Sequence, residues 1–289
     1  MNNCMKSRIR DYYALTKPEV NLLILISTSA GYYLAERSGF HLLGLIQTLI
    51  GTLLVASGTA TLNQWMERVW DGKMRRTEKR PLPAGRISSR GALLFGLILS
   101  ICGGLYLLLQ VNMMASVLAT ATLLSYLLIY TPLKRTTPLC TLLGAFPGAM
   151  PTLIGWAGAG GRVTDPEAAF LFCVLFLWQF PHFLSIALMY RQDYERAGYR
   201  MLPRFDVDTR FTRGEISLFT AALILLTLLP ALSGGGPLYT IAMLIAGGFL
   251  LFHALRLGAS ASKVSATRLL HASVMYLPVV LAVMAFSKG

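Results

Sequence analysis

The sequence predicts an all-α, polytopic membrane protein: a bundle of about nine transmembrane helices with cytoplasmic capping loops. Three observations predict it. Of the 289 residues, 55% are hydrophobic and only 13% are charged, about half the charged share of a soluble domain. Apolar runs long enough to cross a bilayer, about 20 residues each, recur along the whole chain. Finally, Lys and Arg gather on alternate connections between those runs, the charge asymmetry of a membrane-inserted chain.

Taken in order, the polar, aromatic segment MNNCMKSRIRDYYALTKPEV lacks the apolar run of a signal peptide, so residues 1–18 are expected to form a cytoplasmic N-terminal segment. The expected spans then cover roughly 20–36, 43–66, 91–109, 113–131, 138–157, 167–190, 215–233, 237–255 and 269–286. The first is short and bounded by Lys17-Pro18 and Glu36-Arg37. Thr131-Pro132 reads as the end of the fourth span, since Pro stops the preceding turn. The fifth is rich in Gly144, Ala145, Gly148, Ala149, Gly155 and Gly158, small residues that let helices approach closely. Its string GAFPGAMP suggests an irregular helix lining a cavity. Nothing between the spans is long enough for a soluble domain, so 1–289 reads as one unit. The longest polar segments, 67–90 and 191–214, follow the second and sixth spans.

With the N-terminus inside, 23 of the 26 Lys and Arg fall on the cytoplasmic side; Arg37, Arg162 and Lys288 fall on the other. That split predicts an odd number of spans and an outside C-terminus. It also accounts for the net charge of +13 as attraction to an anionic leaflet, not to nucleic acid. Cys4, Cys102, Cys140 and Cys173 show no metal-ligand spacing and read as small apolar filler.

The chemistry concentrates in 63–83, NQWMERVWDGKMRRTEKRPLP. Asn63, Glu67 and Asp71 recur every fourth residue, within an arc of roughly 80° on a helix. Oxygens at the end of an apolar helix need partners: either a divalent cation or the basic groups Lys73, Arg75, Arg76, Lys79 and Arg80 that follow. Carboxylates beside cations suit Mg²⁺ and phosphate together. The positive-inside rule alone explains the basic residues but not the helical spacing of the acids. The second loop, RQDYERAGYRMLPRFDVDTRFTR, places Asp193 and Glu195 just past the sixth span, an approximate repeat of the first. Two facing acidic clusters could hold one diphosphate through metal ions. Lys134 and Arg135 lie on the same side, where topology alone accounts for them. Within the sixth span, Gln179 and His182 flank Pro181 at membrane depth, where polar groups mark functional sites or bond a neighbouring helix. Trp178 and Phe180 add flat apolar surface beside them.

Several strings in order, Asn63-x-x-x-Glu67-x-x-x-Asp71-x-x-Met74-x-Arg76-Thr77-x-x-Arg80-Pro81-Leu82, Tyr130 to Arg135, Trp178 to Phe183, and Asp193-Tyr194 with Gly198 and Met201, resemble the intramembrane aromatic prenyltransferase superfamily. More narrowly they resemble its protohaem-farnesylating branch. The resemblance is strong from Ala14 to Pro203 and continues to the C-terminus in helix pattern. It departs from the wider group at Glu67, where Asp is usual, and at Ala197, which carries no acid.

The resemblance implies transfer of a farnesyl group from farnesyl diphosphate to the 2-vinyl group of haem B, with addition of water, in the cell inner membrane. It implies Mg²⁺ held by Glu67, Asp71 and Asp193, with Asn63 beside them. Arg76, Arg80, Lys134 and Arg135 would face the diphosphate. Trp178, Gln179, His182 and Tyr194 would contact the substrates, and the product would be handed to a haem A synthase or a terminal oxidase. Two other functions fit such a bundle: prenylation of a quinone precursor, and transport or haem binding without turnover. The strings at 74–77 and 178–182 count against the first; acids confined to one face count against the second.

Overall fold

The computed structural model describes residues 2–37, 39–232 and 236–288, with side chains from residue 7 onward. Cys4 and Gly289 as expectations of packing and topology therefore lie outside the described side chains or residues. The described residues are helical apart from connecting turns and two longer loops, 72–88 and 197–209, the second holding one short 3₁₀ turn. An amphipathic entry helix, α1 (Asn2–Leu15), leads into α2 (Pro18–Ala35) and α3 (Leu42–Asp71). There follow α4 (Ser89–Gln110), α5 (Met113–Leu133, with one π-helical turn), α6 (Cys140–Gly158) and α7 (Pro166–Met189). After a short α8 (Arg191–Arg196) come α9 (Arg210–Leu232), α10 (Pro237–Ser260) and α11 (Lys263–Phe286).

Local chemistry sets these boundaries. Pro at the first turn opens α2, α7 and α10, where its missing N–H costs nothing. Ser88 caps α4, accepting from the Gly91 N–H at 3.1 Å, and Asn112 caps α5, accepting from Ala115 at 2.8 Å. Helices α9 and α11 begin five and six residues earlier than the apolar runs suggest, because a helix does not end where its residues become charged. Eight helices, α3 to α7 and α9 to α11, are long and apolar enough to cross a membrane among the described residues. The shorter α2 packs among them.

Each long helix packs on the next, and α11 returns to pack on α2, closing a ring; α2 also crosses inside it onto α6. The expected close approach occurs there. A Cβ on Gly155 would lie 2.0 Å from the Thr28 carbonyl oxygen, and one on Gly31 would lie 2.1 Å from that of Thr152. Only glycines permit that separation. Helix α6 runs unbroken through Pro147 and Pro151, both buried.

The fourth span ends at Leu133, within two residues of the expected end. Pro132 has no N–H for the carbonyl four residues back. The helix widens into the π turn Ser125–Tyr130, in which the Thr131 N–H and hydroxyl both donate to the Tyr126 carbonyl, the hydroxyl at 2.8 Å. The helix then continues to Leu133. At the opposite end of the bundle, Lys288 donates to the Tyr33 and Glu36 carbonyls at the end of α2. Of the cysteines, Cys140 is buried, while Cys102 and Cys173 are exposed on helix surfaces.

Candidate active site

Helix α3 has 30 residues, about 45 Å at 1.5 Å per residue. A hydrocarbon core is about 30 Å thick, so its last turns project beyond the apolar layer. They carry Asn63, Gln64, Glu67 and Asp71, all buried. Burial at this depth requires a partner for every polar group, and each finds one. Gln64 donates to the Leu15 carbonyl at 2.8 Å, docking the end of α1. Asn63 donates to the Thr131 hydroxyl at 3.1 Å and accepts from Lys17 at 3.2 Å. Glu67, 7% exposed, accepts from Lys134 at 2.9 and 3.2 Å and from the Tyr199 hydroxyl at 2.9 Å. Asp71, 1% exposed, accepts from Arg80 through Oδ2 at 2.8 Å.

The second polar segment closes over the first. Helix α7 ends at Met189, Tyr190 leaves helical geometry, and α8 starts a new turn. This places Asp193 beneath the loop after α3, where it accepts the backbone N–H groups of Arg75 and Arg76, each at 3.3 Å. Arg196 also donates to it. Gly198 (φ +77°) makes the left-handed turn that an L side chain disfavours and delivers Tyr199 to Glu67. Met74, Cys140, Ala187, Ala197, Tyr199 and Met201 form an apolar cluster under both loops. The two segments anticipated to face each other therefore do so. Glu195 is not part of that group: it pairs with Arg191 on the surface at 2.9 Å.

The cations divide into two sets. Arg80 and Lys134 reach the α3 acids, and Lys17 reaches the Asn63 amide oxygen beside them. Arg76 instead lies over Tyr190 and Tyr194, 4.5 and 5.5 Å from the ring centroids, and donates to the Tyr194 hydroxyl at 3.1 Å. Arg135 lies 3.9 Å over Trp70. These outer cations are stacked on aromatic faces.

Lys17 and Tyr199 were not singled out by the sequence reading. Lys17 looked like one of many topology-setting charges, yet it adopts the left-handed region (φ +51°) directly before Pro18. Burial, then repulsion from Arg80 and Lys134, pulls its ammonium down to about 7. Burial works against the charge of Lys134 as well, but Glu67, Tyr130, Tyr126 and Tyr199 together outweigh it and raise the ammonium well above its ordinary value. Burial and then Glu67 push the Tyr199 phenol up, so it stays a donor. The only sequence signal for Tyr199 was its place after a glycine.

Deeper in α7, Trp178 and Gln179 make helix–helix contacts. The Trp178 indole donates to the Ser273 carbonyl on α11 at 2.7 Å. Gln179 donates to the Ala145 carbonyl on α6 at 2.9 Å, while its Oε1 has no partner among the described residues. Gly148 leaves room for that amide: a Cβ there would meet Oε1 at 1.9 Å. His182 stacks on Trp178, with ring centroids 4.5 Å apart, and its Nδ1 lies 2.9 Å from the Ser273 hydroxyl.

Among the described residues no three His, Cys, Asp or Glu side chains converge as a ready metal cage; the acids are balanced by cations instead. The donor chemistry nevertheless fits Mg²⁺, which binds through one or two carboxylates together with substrate phosphate oxygens and seldom uses an all-protein cage. Asp71 retains Oδ1 without a hydrogen-bond partner among the described residues. Buried carboxylates and ammonium and guanidinium groups at one rim of an apolar bundle form an arrangement suited to a polyanionic head group with an apolar tail.

Those features and the ring of helices define an integral membrane prenyltransferase, and the chain belongs to the UbiA prenyltransferase family, whose model matches residues 24–280. A relative named protoheme IX farnesyltransferase, from Solibacter usitatus, is 47% identical over 97% of this chain and 99% of its own length. Its namesake from Koribacter versatilis is 43% identical over 98% and 94%. Among solved structures, a digeranylgeranylglyceryl phosphate synthase superposes with a TM-score of 0.77 at 18% identity, covering 98% of this chain and 99% of that one. A UbiA homologue from Archaeoglobus fulgidus bound to DMAPP and Mg²⁺ gives 0.70 at 16% identity, covering 95% and 99%. At such identities the structural likeness establishes the fold.

Proposed function

We propose that the chain transfers the farnesyl group of farnesyl diphosphate to the 2-vinyl group of haem B, with addition of water, giving haem O and diphosphate. The observation that carries the proposal is the meeting of Asn63, Glu67 and Asp71 with Lys17, Arg80 and Lys134 at one rim, with Asp193 bonded to the loop that follows. Near full-length similarity to relatives named for this activity supports it. The diphosphate lies at the rim and the isoprenoid tail among the apolar helices. Glu67, Asp71 and Asp193 would hold Mg²⁺, which would neutralise charge on the leaving diphosphate. Lys17, Arg80 and Lys134 stabilise the same developing charge by position; Arg76 and Arg135 hold the outer edge from their aromatic supports. The C1–O bond breaks and leaves an allylic cation. The vinyl π electrons of haem attack C1, forming the new carbon–carbon bond. Water adds to the cation left beside the porphyrin and loses a proton. The apolar packing around the tail keeps water from the allylic cation until then.

His182 contacts the haem from α7, with Trp178 and Gln179 holding that helix in place and Tyr194 at the rim. The 23-to-3 division of basic residues supports insertion in the cell inner membrane with the N-terminus and both long loops cytoplasmic. We propose that the product is handed to a haem A synthase or a terminal oxidase. The test is the mass of haem extracted from membranes with and without the protein, supplied with haem B or with 4-hydroxybenzoate. Haem heavier by one farnesyl unit plus water is expected. Prenylated 4-hydroxybenzoate with unaltered haem would overturn the proposal.

A further inference from the structure

Ser273 lies on α11, fully buried, facing α7. Its hydroxyl has two neighbours. It donates to the Leu270 carbonyl at 2.7 Å in its own helix, and it lies 2.9 Å from His182 Nδ1. A serine hydroxyl has one proton and two lone pairs. With the proton given to Leu270, the contact with His182 is satisfied only if Nδ1–H is the donor. A neutral imidazole protonated at Nδ1 has its lone pair on Nε2. Nε2 has no hydrogen-bond partner among the described residues. The ring is also held from one side: Trp178 stacks on it, and that indole is tied to the carbonyl of the same Ser273. One residue of α11 thus fixes both the tautomer and the orientation of a histidine on α7.

We infer that Ser273 is a positioning residue that holds His182 as the Nδ1–H tautomer, so that Nε2 presents its lone pair to the iron of the haem substrate. A lone pair on Nε2 binds a metal and repels a carboxylate, so it selects iron over a haem propionate as the group met. Hydrogen bonding at the far nitrogen is also what orients a histidine toward a metal and raises its basicity. The inference rests on the haem contact proposed above for His182, and it goes further by naming the atom, the haem group and the residue that sets them.

The experiment has two arms on the full-length protein in detergent. In the first, ¹⁵N NMR of ring-labelled histidine, with His182→Ala assigning the signal, reads the tautomer in the wild type. A protonated Nδ1 and an unprotonated Nε2 are expected; the reverse would overturn the inference even if His182 does touch haem. In the second, haem B is titrated into wild type, His182→Ala, Ser273→Ala and Ser273→Thr while the Soret band is followed. Ser273→Ala is expected to weaken haem binding by about 10-fold or more, with a Soret shift in the direction of His182→Ala. Ser273→Thr, which keeps the hydroxyl, restores the wild-type spectrum. Farnesyl diphosphate binding stays unchanged in all four, reporting intact folding. If His182→Ala leaves the Soret band and affinity as in wild type, the haem contact itself is wrong. If His182→Ala alters them and Ser273→Ala does not, the contact stands and the role of Ser273 falls.

Discussion

Replacing Glu67 by Gln separates charge from shape at the centre of the site. Glu67 accepts from Lys134 and Tyr199 within 3.2 Å, and the Lys134 side chain is only 12% exposed. Removing the carboxylate charge leaves an ammonium buried without its counter-ion, which costs about 3–5 kcal/mol. Glu67→Gln should therefore lose stability by about that amount and lose turnover by at least about 100-fold, the scale for removing one preorganised charge-stabilising group. The cycle is completed with Lys134→Met and the double variant. Lys134→Met alone leaves the carboxylate unpaired and should be similarly unstable. The double variant removes both charges and should recover most of the stability but none of the activity. Stability is read from denaturant unfolding in mixed micelles, activity from the mass of extracted haem. A coupling energy near zero would show that the two side chains do not depend on each other. A double variant that regains turnover would show that Glu67 acts only as a partner for Lys134, refuting its role toward metal and diphosphate.

Four further outcomes are expected. Asp71→Asn keeps the size of the side chain and should abolish product while the protein still inserts; full activity at ordinary Mg²⁺ would remove Asp71 from the metal site. Lys17, pulled down to about 7, should make the KM for farnesyl diphosphate rise as pH increases through 7, by at most tenfold per pH unit, because an anion binds the protonated form. Lys17→Arg should flatten that profile, and a flat wild-type profile from pH 6 to 9 would exclude Lys17 from the diphosphate site. The sign for folding is the opposite of a stabilising pair: the folded value lies below the unfolded one, so the cost to stability grows as pH falls from about 10 to about 7 and is constant below. Gly155→Leu must push α2 from α6 and should lower stability by about 1–3 kcal/mol for overpacking, read as a lower unfolding midpoint; an unchanged midpoint would mean the helices are not in that contact. Reporters fused after Arg86 and after Gly160 should read cytoplasmic and external, respectively, and the same side for both would break the topology.

The bundle was legible because hydropathy and charge asymmetry are properties of long stretches and survive single-residue errors. The α3 acids were legible for the same reason: helical spacing at the end of an apolar run is unusual. Their partners were not. Lys17 and Tyr199 reach Asn63 and Glu67 across 46 and 132 residues, and no local pattern encodes such a pairing. Periodicity also could not sort the cations. Arg76 and Arg80 are four apart, but the loop after Asp71 is not helical, so one stacks outside on tyrosines and the other turns in to Asp71. The end of α5 was legible to within two residues from Thr131-Pro132, whereas the π turn before it, with the Thr131 hydroxyl bonded to the Tyr126 carbonyl, was not. At depth, Trp178 and Gln179 were recognisable as unusual, but their bonds to α11 and α6 depend on which helices become neighbours.

The contact between the two polar loops also sets an order of events during synthesis. Glu67 is separated from Lys134 by 67 residues and from Tyr199 by 132. At about 5–20 residues per second, the counter-ion follows the carboxylate by roughly 3–13 s and the hydroxyl by roughly 7–26 s. The N–H groups of Arg75 and Arg76 wait almost as long for Asp193, 118 and 117 residues on. The first half of the chain can thus enter the bilayer with its buried acid already neutralised by Lys134, while the rim remains open. It closes only when the segment after α7 has emerged, so a ribosome stalled before Asp193 would leave an inserted chain with no assembled catalytic rim.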